Sequence, residues 1–111
     1  MERHTDLERI PAGARVTRSY WAIPTYYGTG SEHATEIEAL EVAIARGEAH
    51  PGNTVTIDLR WSMSWERHSD ANPSVGQDFV ASRSTYASLA EAKEALERLR
   101  RFSSPPFLAV R

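Results

Sequence analysis

The chain has 111 residues, a formal net charge of −2 and a pI of about 6.1, with 41% hydrophobic and 25% charged residues. These totals describe one globular domain; they exclude wholesale disorder and supply no global positive field for nucleic acid or an anionic membrane. The absence of cysteine excludes a disulfide framework, a thiolate nucleophile and a cysteine metal site, and no run approaches the roughly 20 apolar residues of a membrane span, so a soluble cytoplasmic protein is expected. Lys93 is the single lysine among 13 basic residues, an arginine bias that fits the codon usage of a GC-rich bacterial or phage genome.

Residues 1–13 are polar, end in Pro11-Ala-Gly13 and read as a flexible N-terminal arm; the α+β domain is expected over 14–111. Ala14 to Ile23 carries Val16, Thr17, Tyr20, Trp21 and Ile23, which suit a strand. Pro24 lacks a ladder donor and is expected to end the regular pairing. Tyr26 and Tyr27 then fall on an exit loop, and Thr29-Gly-Ser-Glu32 has the spacing of a capping box opening a helix. In that helix Ala34, Ile37, Leu40, Glu41 and Ile44 recur at three- and four-residue steps, and Gly47 is placed as a left-handed terminator before Pro51-Gly-Asn53.

From Thr54 to Trp65 the alternation is strict. Val55, Ile57, Leu59, Trp61, Met63 and Trp65 take the odd positions, and Thr, Asp, Arg and Ser fill the even ones. A strand with one face buried and one wet belongs to an antiparallel or mixed sheet covered on one side. Glu66 to Gln77 reads as a polar loop, and Asp78 to Tyr86 as the next strand. Ser88-Leu-Ala-Glu91 is a second capping box, opening a helix whose stripe is Leu89, Ala92, Leu96, Leu99 and Phe102. Ser103-Ser-Pro-Pro106 breaks it, and Phe107 to Arg111 is expected to be a short last strand. The order strand, helix, strand, strand, helix, strand is the ferredoxin-like βαββαβ pattern: a four-stranded antiparallel sheet with both helices on one face.

Such a sheet leaves its other face open. Alternation sends Arg18, Tyr20, Asp58, Arg60, Phe79 and Arg83 there, with Trp21, Ile23, Val80 and Tyr86 inward. Two aromatic rings among arginines form a platform for single-stranded RNA, and Gly76-Gln-Asp-Phe-Val80 resembles part of the third-strand signature of the RNA-recognition motif. Val75 stands where that signature has a basic residue, and Ser82 replaces its last aromatic. An open face of this kind also serves protein contact or pairing of two copies.

Four further places hold candidate chemistry. Gly28-Thr-Gly30 before the first helix offers amides to a phosphate, but Glu32, Glu36 and Glu38 follow at once. The loop residues Glu66, His68, Asp70 and Asn72 are oxygen and imidazole donors for a metal, or a solvated turn. Tyr26, Tyr27, Trp61, Trp65 and His68 are candidates for an aromatic small-molecule pocket in a homodimeric binder or enzyme. The first helix segment carries five glutamates against Arg46 alone, an acidic docking surface for a basic partner or a plain solvated face. No nucleophile motif occurs, and no serine has a histidine partner recognisable from spacing. The expectation is therefore a small non-catalytic protein-binding domain of the inhibitor, immunity or phage accessory kind, without metal or cofactor. Its contacts are placed at the open face and at Tyr26 and Tyr27.

Overall fold

A computed structural model describes residues 2–25, 28–49, 54–66 and 74–103. It is an α+β structure with an antiparallel sheet and two helices. The strands are β1 (Glu2–His4), β2 (Arg15–Thr25), β3 (Gly28–His33), β4 (Val55–Glu66) and β5 (Ser74–Tyr86); the helices are α1 (Glu36–Ala49) and α2 (Leu89–Ser103). The order across the sheet is β1-β5-β4-β2-β3, with every neighbouring pair antiparallel. No described helix is long and apolar enough to cross a membrane.

The long alternating segment is β4, as its pattern requires, and it is the central strand. Its odd residues face the helices: Val55 and Ile57 belong to one buried cluster with Ile23 and Tyr86 from the sheet, Ala39, Leu40, Ala43 and Ile44 from α1, and Ala92, Ala95 and Leu96 from α2. Leu40, Ala39, Ile57 and Ala92 are fully buried. Each large apolar side chain removed from water there contributes about 1.5–3 kcal/mol. Both helices therefore sit on one face, and the alanines at 39, 43, 92 and 95 let them approach the sheet and each other.

The ferredoxin-like order is not matched. Residues 28–33, expected to cap a helix, instead form β3, a hairpin partner of β2 in which Trp21 lies opposite His33 and Ile23 opposite Ser31. The extra strand reverses the chain before α1 begins. As a result β4 returns antiparallel to β2 and lies directly beside it, whereas a ferredoxin-like sheet would separate them. β3 and β4 then run parallel with β2 between them, and α1 makes the crossover. Pro24 fits inside β2 because pairing with β4 stops at Ala22, leaving β3 as the sole neighbour there, and the register shifts at that point.

The residues expected to form a loose arm are pinned to the β5 edge. Glu2, Arg3 and His4 pair with Thr85, Ser84 and Arg83, and the Asp6 amide donates to the Val80 carbonyl at 2.8 Å. Gly47 is an interior helical residue, not a terminator: the only glycine at positive φ among the described residues is Gly13. A Cβ at Gly47 would come within 2.8 Å of Leu89, so its bareness admits α2. Phe102, expected in the α2 stripe, is 80% exposed. The proposed last strand, 107–111, lies outside the described residues.

Candidate functional site

The sheet face away from the helices carries a lattice of paired polar side chains. Cross-strand register puts Arg18 beside Ser62, Tyr20 beside Arg60, Ala22 beside Asp58, and Asp58 beside Arg83. Arg60 Nε donates to Tyr20 Oη at 3.2 Å, Tyr20 Oη donates to Asp78, and Ser62 Oγ donates to the other Asp78 oxygen at 2.7 Å. The Arg18 guanidinium lies 4.2 Å from the centre of the Tyr20 ring and pairs with Glu32. Arg83 clasps Asp58 through both nitrogens, Nε to Oδ1 at 2.7 Å and Nη2 to Oδ2 at 2.8 Å. Asp58 is fully buried while Arg83 keeps 35% of its side chain exposed, so the carboxylate is the foundation and the guanidinium the surface.

The electrostatics follow from these partners. Burial opposes the charge of Asp78, but hydrogen bonds from Tyr20 and Ser62 and the charges of Arg60 and Arg18 outweigh it and hold the carboxyl below its ordinary value. Burial first, then the hydrogen bond to Asp78, pushes the Tyr20 phenol upward, so it remains a donor.

The face contains five of the six residues expected there, with two corrections. Phe79 is on the helix side, opposite Trp61, and only 3% exposed. The cause is a bulge: Leu59 pairs with Ser82 and Arg60 with Val80, leaving Ala81 as an extra residue that flips side-chain parity. Arg83 and Tyr86, beyond the bulge, keep the expected sides; Phe79 and Val80 exchange theirs. Tyr20 is on the expected face, but at 5% exposure it is roofed by its neighbours and presents no free ring. The aromatic platform for RNA bases is thus absent from the described face.

Trp61 and Trp65 are half-buried and lie outside the helix-packed cluster, with the Trp65 ring tilted 47° to Phe79 at 6.2 Å. β4 is about 40 Å long, whereas α1 is about 21 Å, so the helices cannot cover its whole length. Tyr26, Tyr27 and the loop 67–73, with His68, Asp70 and Asn72, lie outside the described residues. Among the described residues no cluster of three metal-ligating side chains occurs.

The acidic docking helix is largely neutralised. Glu41 pairs with Arg100 and Glu48 with Lys93, both across to α2, while Glu36 is partly buried and its carboxyl is raised by desolvation. Only Glu38 turns elsewhere. The true cap of α1 is Thr35, whose Oγ1 accepts from the Glu38 amide at 3.1 Å. The Glu38 carboxylate reaches back to His33 Nδ1 at 2.9 Å, and His33 Nε2 is 2.8 Å from Ser31 Oγ. Sequence reading missed this chain. Its signal is Ser-x-His, which places two side chains on one face of a strand, whereas the capping-box spacing of Thr29 to Glu32 points to a helix start, where they would diverge.

β2 and β4 part company beyond Ala22. The gap is a cleft of about 760 Å³ lined by Ile23, Pro24, Ala43, Arg46 and Val55, with Thr54 and Thr56 among its hydroxyls. Searches of protein-family models, curated proteins and solved structures returned no match to this chain.

Proposed function

We propose that this domain works in the cytoplasm by protein–protein contact through the β3-β2-β4-β5 face, as an inhibitor, immunity or phage accessory protein does. The observation that carries the reading is the lattice of Arg18, Tyr20, Arg60, Asp78, Ser62 and Glu32, in which each charged group is already held by a neighbour. Side chains fixed before docking lose little rotamer entropy when a partner arrives, and alternating charges select a partner surface of matching pattern. The acidic face of α1 is the weaker candidate, because α2 cations already occupy Glu41 and Glu48.

The test is affinity capture from the native host with the wild-type chain and with Arg18→Glu, which reverses an exposed charge on the lattice. The expected result is a stoichiometric partner retained by the wild type and depleted at least about tenfold by R18E, the scale of one interface charge reversal. Equal retention by both chains, or no stoichiometric partner with a strictly monomeric chain in light scattering, removes the proposal.

A further inference from the structure

Ser31, His33 and Glu38 stand in the order nucleophile, base and orienting acid. Ser31 Oγ lies 2.8 Å from His33 Nε2, and His33 Nδ1 lies 2.9 Å from Glu38 Oε1. An ionised Glu38 can only accept, so Nδ1 carries the ring proton. A neutral His33 then has a bare Nε2, and the Ser31 hydroxyl donates to it. That polarity is the one a serine nucleophile needs. The His33 side chain is 11% exposed and Ser31 is half-buried, while the Glu38 side chain is 55% exposed and holds His33 from the solvent side.

Secondary structure makes the arrangement rigid. Ser31 and His33 are two apart on β3 and so share its helix-side face, opposite Ile23 and Trp21. Glu38 sits in the first turn of α1, with Thr35 capping the same turn. Ile23, the cross-strand partner of Ser31, is also a wall of the cleft between β2 and β4. Arg46 lines that cleft too, and its Nη1 would be 3.3 Å from a Cβ placed on Gly30, the residue before Ser31. This places a guanidinium beside the backbone of β3 next to Ser31.

We propose that Ser31 is an acyl-transfer nucleophile for carboxylic esters whose acyl part enters the Ile23 cleft, with His33 as general base and Glu38 as its positioning residue. Ser31 Oγ bonds to the ester carbonyl carbon as its proton passes to His33 Nε2. The tetrahedral adduct collapses, the bond to the alkoxide breaks, and His33 returns the proton to the departing alcohol. Water then attacks the acyl-serine, gives its proton to Nε2, and the carbon–Oγ bond breaks as Oγ regains that proton. One ester and one water become one acid and one alcohol. Ser31 and His33 are on the helix-side face, opposite the Arg18 lattice, and the cleft runs from there through the gap to Arg83 and Thr85, so the proposal goes beyond the protein-contact reading and is tested separately.

The experiment treats the full chain with a fluorophosphonate probe and, in parallel, with p-nitrophenyl acetate. Peptide mass spectrometry of the wild-type chain is expected to place one phosphonyl group on Ser31, a result that depends on no variant folding. Ser31→Ala abolishes labelling, and His33→Gln slows it by about 10²-fold or more, the usual scale of general-base assistance. The wild-type rate falls on acidification as a general base is protonated, that dependence disappears in H33Q, and Glu38→Gln weakens it while Glu38→Asp restores part of it. An unlabelled wild-type chain, a label elsewhere, or a pH profile unchanged in H33Q shows that the three residues merely tie β3 to α1.

Discussion

At the scale of single residues, Asp58 has the most demanding environment in the molecule. It is fully buried at the centre of the sheet, and the two hydrogen bonds from Arg83 are its compensation. A buried pair is expensive to break from one side and nearly neutral to replace as a whole. Arg83→Ala is therefore expected to lower stability by about 3–5 kcal/mol, because it leaves the carboxylate stranded. The double variant Asp58→Leu/Arg83→Met, which keeps the volume and removes both charges, is expected within about 1–2 kcal/mol of the wild type. Urea unfolding of both variants decides the matter: equal losses would mean that the pair, and not the unpaired charge, sets the energy. The position was legible in the sequence as an even-numbered polar residue on an alternating strand. Its complete burial was not, because that depends on Arg83 folding over it from β5.

At the scale of elements, the β2–β3 hairpin is the feature with most consequence. It turns the first two-thirds of the expected fold into a different topology, and it creates both the Ser31–His33 corner and the cleft. Gly30 permits it. A Cβ at that position would lie 2.4 Å from Thr25 Cγ2, 3.0 Å from the Ile23 carbonyl and 3.3 Å from Arg46 Nη1. Thr25 is β-branched and the Ile23 carbonyl is backbone, so neither yields easily. Gly30→Ala is expected to destabilise by about 1–3 kcal/mol, the usual overpacking range, and to raise hydrogen exchange of β3 amides before those of β4. Uniform exchange across the sheet would contradict it. The sequence misled here for a physical reason. Thr29-Gly-Ser-Glu32 and Thr35-Glu-Ile-Glu38 both fit a capping box, and local spacing does not say which one a helix will use.

At the scale of the whole molecule, stability on the acid side is governed by carboxylates whose charge the fold favours. For Asp78, burial is outweighed by Tyr20, Ser62 and the nearby arginines; for Asp6, burial is outweighed by the Val80 amide, His4 and Arg9. Both are held below their ordinary value of 3.8. A depressed folded-state pKa contributes stability that is complete above the unfolded value and is lost as pH falls through the folded one. Glu36 has the opposite sign: burial raises it above 4.5, so it opposes folding when ionised and is relieved on protonation. The melting temperature is thus expected to fall below about pH 4 as Asp78 and Asp6 protonate. Asp78→Asn should flatten that fall, while Glu36→Gln should raise the melting temperature at pH 7 and lose its advantage as pH approaches 4.5. An acid limb unchanged in D78N would show that the lattice does not carry this stability.

The sequence by itself determined the α+β class, the one-sided sheet and the middle of each helix stripe, Leu40 and Ile44 on α1 and Ala92 and Leu96 on α2, because alternation and 3.6-residue periodicity are enforced locally by where Cβ atoms point; Ala34 and Phe102, at the expected stripe ends, are exposed. It also determined that β4 has a helix-covered side, since its odd row has nowhere else to be buried. Only the tertiary structure decided that β3 is a strand, that Ala81 is a bulge, and that Phe79 and Val80 therefore exchange faces. Those features are set by which strand lies alongside which, and by one residue of register between β4 and β5. A single extra residue at Ala81 puts the side chains before it out of phase with those after it without changing the composition of the segment, so no count of residues along the chain records it.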